Sequence, residues 1–159
     1  MAKKTKQTKT LPIYILNGPN LNLLGHREPE VYGYTTLAQI EQMCAGQAAS
    51  HGLSIVFRQS NREGEIVDHL QEARTAGSAV IINPAGYGHT SIAILDSIQA
   101  CGLPVIEVHL SNIHRREPYR NHSYVSKGAT GIIMGLGAQG YVRAVDAVAQ
   151  ILSAKGKKK

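Results

Sequence analysis

The sequence predicts an α/β domain, a parallel sheet covered by helices on both faces. Three observations carry that prediction. Five short apolar runs alternate with segments of helical periodicity. The runs are almost continuously hydrophobic rather than alternating, as strands buried on both faces are. The chain of 159 residues, 43% of them hydrophobic, is long enough for one core and short for two.

The expected strands are Leu11 to Leu16, Leu53 to Phe57, Ala79 to Ile82, Val105 to Val108 and Gly131 to Met134, all rich in Ile and Val. Between them, apolar side chains recur at three- and four-residue intervals. Leu37, Ile40 and Cys44 form one stripe within Thr36 to Ser50, and Ile66, Val67 and Leu70 another within Glu63 to Thr75. Further helices are expected at Ser91 to Ala100 and at Gln139 to Ala154, the latter carrying Val142, Val145, Val148 and Leu152. Thr35 or Thr36 can cap the first helix, and Gly52, Gly77 and Gly102 follow the first three. Strict alternation with right-handed crossovers gives a flavodoxin-like three-layer sandwich, with a five-stranded parallel sheet in the order 2-1-3-4-5.

The formal charge of +6 suggests a polyanion partner until its location is examined. Four lysines stand in the first ten residues and four in the last five. Setting those eight aside from the 17 basic residues leaves nine against 11 acidic ones, a body of about −2. Basic, polar ends at 1–10 and 155–159 are expected to be disordered tails around a single catalytic domain at 11–154. No nucleic-acid partner follows from the body. Neither a signal peptide nor a membrane span is expected, which points to a cytoplasmic protein with no membrane contact. Cys44 and Cys101 lack CxxC spacing and are expected to be buried, reduced thiols.

In an open α/β sheet of this order, ligands bind beyond the carboxyl ends of the strands, near the reversal between strands 1 and 3. Polar and unusual sequence collects there. Asn17, Asn20 and Asn22 follow strand 1, with Arg27, Tyr32 and Tyr34 beyond. Asn83 to Ser91 follows strand 3, and His109, Ser111, Arg115, Arg116 and Arg120 follow strand 4. Such loops suit a small, oxygen-rich anion. Each asparagine could equally serve its own turn. A lone His109 could be a buried structural histidine, but Glu107, two residues earlier, faces the same side of the sheet and could orient it. Arg115 and Arg116 could form ordinary surface pairs with Glu117. Gly25 and Gly33 bracket a segment, about 20–34, that could act as a lid.

The stretches LNGPNLNLLG (16–25), REPEVYG (27–33), FRQSNREGEIVD (57–68), INPAGYGHTS (82–91), VIEVHLSNIHRREPYRNHSYVS (105–126) and GLGAQGY (135–141) closely resemble the type II 3-dehydroquinate dehydratases, in order and over almost all of Leu11 to Ile151. That resemblance implies a flavodoxin-like hydro-lyase of the shikimate pathway. It would convert 3-dehydroquinate to 3-dehydroshikimate by anti elimination through an enolate, without cofactor or metal, in a homododecamer built from trimers. It places the catalytic base on Tyr32, the acid on His109 and the supporting arginine on Arg27. Substrate contacts fall on Asn83, His89, Leu110, Ser111 and Arg120, and Asp96 would act across a subunit interface. Two positions depart from the family's usual pattern. Leu95 stands where an arginine is common, and Gly88 where a threonine is.

The reaction itself needs a base, an enolate stabiliser and an acid. A tyrosine is a poor base near neutrality unless a cation stabilises its phenolate, and Arg27, in the same loop, is the expected cation. On chemistry alone Tyr34 and Tyr87 compete with Tyr32; the VYG match favours Tyr32. The Asn20 amide, directly or through a bound water, can meet the enolate oxygen. His109, with an imidazole that titrates at about 6.5 when unperturbed, can protonate the leaving hydroxyl, supported by Glu107. Main-chain amides of Leu110 and Ser111, the Ser111 hydroxyl and the Arg120 fork can hold substrate oxygens.

Other readings fit less well. A flavodoxin-like FMN or nucleotide module would want a Ser/Thr/Gly phosphate cradle after strand 1, where this chain has Asn, Pro and Leu. Gly135 to Gly140 spells GxGxxG, but too little chain follows for a dinucleotide fold, so a tight turn and close helix packing are expected. A metal site on His109, His114 and His122 would have to accommodate the arginines between them.

Overall fold

The computed structural model describes residues 10–156. Five parallel strands, β1 (Ile13–Asn17), β2 (Ile55–Gln59), β3 (Ala79–Asn83), β4 (Val105–His109) and β5 (Gly131–Met134), form one sheet in the order β2-β1-β3-β4-β5. The flavodoxin-like arrangement expected from the alternation is therefore the one adopted. Helices α2 (Leu37–Ser50) and α5 (Gln139–Gly156) cover one face, and α3 (Glu63–Ala76) and α4 (Ile92–Cys101) the other.

The two cores follow from strand alternation. Ile13 and Ile15 of β1 face Ile40, Cys44, Tyr141 and Val145, while Tyr14 and Leu16 face Ile66, Leu70, Ile94 and Ile98. Side chains of β1, β3 and β4 are buried throughout, whereas β2, at an edge, is half-buried and carries exposed Arg58. Burial pushes the Cys44 thiol up to about 12, raised further by nearby Glu41, and both cysteines are free thiols inside the protein.

The helix starts obey local chemistry. Thr36 caps α2 in a reciprocal box with Gln39, and the Ser91 hydroxyl accepts from Ile94 N–H at the start of α4. Gly102 closes α4 in the left-handed region at φ 68°.

Observed and expected boundaries differ most at the strands. β1 begins two residues late, because Pro12 has no N–H to pair and instead accepts from Ser78 N–H at 2.9 Å. β1, β3 and β4 each continue one residue past the apolar run, onto Asn17, Asn83 and His109. Main-chain pairing outlasts hydrophobicity there. α5 runs to Gly156, so Lys155 and Gly156 belong to the helix rather than to a tail. The remainder of the expected tails, 1–9 and 157–159, lies outside the described residues. Among the described residues, no helix is long and apolar enough to cross a membrane.

Candidate active site

The carboxyl ends of β1, β3 and β4 enclose a cavity of about 190 Å³. The loop after β1 contributes Asn20, Leu24, Arg27 and Tyr32; the end of β3 and its loop contribute Asn83, Ala85 and His89; the end of β4 and the segment after it contribute His109, Leu110, Ser111, Arg116 and Arg120. Nine of the residues expected to carry a catalytic or substrate-binding role therefore line one space. Glu107 lies beneath it, against His109. Asp96 does not reach it and stands exposed on α4.

Glu107 is fully buried, and its carboxylate is saturated by donors. His109 Nε2–H donates to Oε1 at 2.6 Å, Ser123 Oγ donates to the same oxygen at 2.5 Å, and Ser126 Oγ donates to Oε2. Burial alone would push this carboxyl up, but the hydrogen bonds and charge of His109, with the two serine hydroxyls, hold it below the ordinary carboxylate range. A carboxylate can only accept, so His109 carries its proton on Nε2 and leaves Nδ1 to exchange a proton elsewhere.

His89 is fixed in the complementary way. Its Nδ1–H donates to the His122 carbonyl at 2.6 Å, which leaves Nε2 of the neutral ring as an acceptor. Burial lowers its pKa; the bond to His122 works against that, and His109 and Arg120 add to the lowering. His114 and His122 each direct a ring nitrogen to a carbonyl, of Asn121 and His89 respectively. Among the described residues no group of three or more His, Cys, Asp or Glu is placed to hold a metal ion.

The cation at Tyr32 is a correction to the sequence reading. Arg116, expected as a surface partner of Glu117, donates from Nη1 to Tyr32 Oη at 2.8 Å, with its guanidinium carbon 5.4 Å from the ring centre. Arg27 lines the same cavity, but the partner found for its guanidinium is Glu28 at 3.7 Å. Arg116 also lies 3.6 Å from Glu117, so the expected ion pair exists alongside the new contact. Nothing local in the sequence signals a contact across 84 positions. Arg120 Nε is buried without a hydrogen-bond partner; Glu117 Oε2 lies 3.2 Å away, an ion-pair distance without hydrogen-bond alignment. Arg120 as a residue also lines the cavity, where a planar guanidinium fork suits a ligand oxygen.

The segment expected to act as a lid divides in two. Leu21 and Leu24 are buried in the core, so its first residues are pinned. Beyond them Gly25 and Gly33 adopt φ 87° and 79° on either side of a one-turn helix, α1 (Pro29–Tyr32). A side chain at Gly25 would meet the Tyr34 carbonyl and Thr36 Cγ2 at 2.9 Å. The three non-glycine residues at positive φ among those described, Asn20, Glu28 and Ala85, all belong to the loops around the cavity.

The three early asparagines have different fates. Asn17 is buried and donates from Nδ2 to the Arg58 carbonyl, Asn22 accepts from Gln59 through its side chain, and Asn20 lines the cavity. Asn17 also joins a network that sequence reasoning missed. Tyr141 Oη donates to Asn17 Oδ1 at 2.7 Å and accepts from Asn83 Nδ2 at 2.9 Å, while Asn83 Oδ1 accepts from Ala85 N–H. Asn83 is thus tied down as well as cavity-lining. Tyr141 is fully buried, and Tyr141→Phe leaves an acceptor and a donor unpaired in the interior. The expected cost is about 2 kcal/mol, read as a lower urea midpoint at unchanged slope.

The GxGxxG segment also has a local task. Gly135 and Gly137, at φ 86° and 58°, donate their N–H groups to the carbonyls of His109 and Leu110 at 3.2 and 3.0 Å. The turn holds the end of β4; at Gly140 a Cβ would meet Val108 and Ile133 at an ordinary contact distance of 3.5 Å, so the close helix packing expected there does not depend on glycine.

The profile of the family described as "Dehydroquinase class II" matches residues 11–149. A 3-dehydroquinate dehydratase of Streptomyces coelicolor is 58% identical over 144 residues, covering 90% of this chain and 92% of that protein. One of Phenylobacterium zucineum is 59% identical over 138 residues, covering 87% and 95%. Among solved structures, a type II dehydroquinase of Propionibacterium acnes superposes with a TM-score of 0.85 at 40% identity, covering 89% of this chain and 97% of that one.

Proposed function

Because this chain belongs to the class II dehydroquinase family, we propose that its cavity is the active site of a 3-dehydroquinate dehydratase, a hydro-lyase of the shikimate pathway that yields 3-dehydroshikimate and water. The observation that carries the assignment of roles is the placement of Tyr32, backed by a guanidinium, and of His109, backed by a buried carboxylate, in the walls of one cavity.

The reaction breaks a C–H bond next to the ketone and a C–O bond on the following carbon. Tyr32, acting as the phenolate with its oxygen held by Arg116 Nη1–H, takes the proton, and the electron pair moves onto the ketone oxygen as an enolate. The Asn20 amide meets that oxygen, directly or through a water, and Arg27 adds positive charge from the same loop. Collapse of the enolate expels the hydroxyl, which receives a proton from Nδ1 of the His109 imidazolium. Glu107 stabilises that imidazolium from the Nε2 side. Base and acid come from the lid and from the sheet edge, an arrangement that suits anti elimination. The substrate carboxylate is held by the main-chain amides of Leu110 and Ser111 and the Ser111 hydroxyl; the Arg120 guanidinium meets another oxygen. His89 Nε2 accepts from a substrate hydroxyl, and Asn83 completes the floor.

Asp96 lies outside the cavity and next to exposed Ile92 on α4, which supports a role across a subunit interface. We take the working unit to be a homododecamer of trimers, acting in the cytoplasm, where the two buried thiols stay reduced. Each subunit is read as one catalytic domain between short basic ends.

Adding purified protein to 3-dehydroquinate should produce the ultraviolet absorbance of a conjugated enone, with no cofactor or metal supplied. A folded sample that leaves the absorbance flat would refute the function.

A further inference from the structure

Asn20 is the residue of the loop after β1 whose side-chain amide is assigned to the reacting oxygen, yet no hydrogen bond among the described residues holds that amide. Its main chain is held instead. Asn20 sits at φ 67°, ψ −4°, at the start of the 3-10 turn Leu21–Leu23, and its N–H donates to Asn61 Oδ1 at 3.0 Å. Asn61 stands two residues past the end of β2. The same Oδ1 accepts from Gln59 Nε2 at 3.1 Å, and that nitrogen also lies 3.2 Å from the Gly18 carbonyl and 3.4 Å from Asn22 Oδ1. The Asn61 carbonyl accepts from Tyr87 Oη at 2.7 Å, in the loop that carries His89.

We propose that Asn61, at the end of β2, is a positioning residue for Asn20: by accepting its main-chain N–H it selects the left-handed conformation that presents the Asn20 amide to the enolate oxygen. Asparagine tolerates this conformation but does not require it. Without the acceptor, Asn20 can relax toward the commoner right-handed or extended regions, and each redirects its side chain. Gln59 serves the clamp by orienting the Asn61 amide, oxygen towards Asn20. Because Asn61 is exposed, the bond competes with water and its effect is moderate. The inference rests on Asn20 being the enolate stabiliser.

The test compares Asn61→Ala, Asn61→Asp, Asn20→Ala and the Asn20→Ala/Asn61→Ala double variant in steady-state turnover of 3-dehydroquinate. Asn61→Ala should lower kcat by roughly three- to tenfold, the worth of one solvent-competed hydrogen bond, with KM nearly unchanged. Asn61→Asp keeps the acceptor and should recover most of the loss. In the Asn20→Ala background, removing Asn61 should change kcat no further. Tyr87 uses a main-chain carbonyl, so its bond is common to all variants and cannot produce this pattern. Normal kcat in Asn61→Ala beside a slow Asn20→Ala would overturn the positioning role alone, as would a loss that persists undiminished in the double variant. Normal kcat in Asn20→Ala would overturn the enolate assignment and the inference with it.

Discussion

Tyr32→Phe is expected to lower kcat by roughly 10²- to 10⁴-fold, the range a positioned general base supplies. The substitution removes one oxygen and nothing else. The ring of Tyr32 packs against the core on the α2 and α5 side of the sheet, and that packing survives in phenylalanine. The hydroxyl belongs to a half-buried side chain, so the unfolding midpoint should stay close to that of the parent. Arg116 loses its oxygen acceptor but keeps Glu117 at 3.6 Å and the ring face at 5.4 Å. Loss of turnover without loss of stability is therefore the expected signature. Near-normal kcat would remove Tyr32 as the base and bring Tyr34 or Tyr87 back into contention.

His109→Ala should cost a similar factor in kcat, but it should also disturb the interior. It leaves Glu107, 0% exposed, with the two serine hydroxyls and no imidazole. A buried carboxylate stripped of one partner is destabilising by about 3 kcal/mol or more, moderated here by the remaining donors. The linkage to pH has a definite sign. The folded state holds Glu107 below the ordinary carboxylate range, so its contribution is complete above that range and is lost as the pH falls through the folded value. Thermal midpoints of the parent should drop on acidification below about pH 4.5. Glu107→Gln should show a shallower drop, since its amide has no proton to take up. Equal acid sensitivity in the two proteins would show that the carboxylate is not held ionised by its partners.

Much of this was legible in the sequence because burial leaves a compositional trace. Continuous Ile and Val runs identified four of the five strands to within two residues at either end, and Gly131 to Met134 without error, because a two-sided sheet leaves no position for polar residues. The trace ends where the site begins. Asn17, Asn83 and His109 are paired as strand residues, yet their polarity reads as loop. The one-turn helix α1 was not foreseen, since four residues opening on Pro29 carry no periodicity. Glu107 and His109 were found because a two-residue spacing is visible along a strand. Arg116, Ser123, Ser126 and Tyr141 were not, since each meets its partner across 16 or more positions. Tertiary hydrogen bonds of that kind leave no mark in local spacing.

The buried bridge through Tyr141 has a consequence for how the chain finds its alignment. In a sheet that is apolar on both faces, hydrophobic alternation cannot tell one pairing of β1 and β3 from a neighbouring slipped one. Something else has to break the degeneracy. Asn17 pairs with Asn83, and only in that alignment can one phenol satisfy both amides while Gly18 clears the Pro84 carbonyl, 2.3 Å from where a Cβ would stand. A molecule zipped out of step would bury Asn17 Oδ1 and Asn83 Nδ2 without the phenol that pairs them. The same three polar groups therefore favour one register of β1 and β3 over its neighbours, as well as tying down the cavity floor.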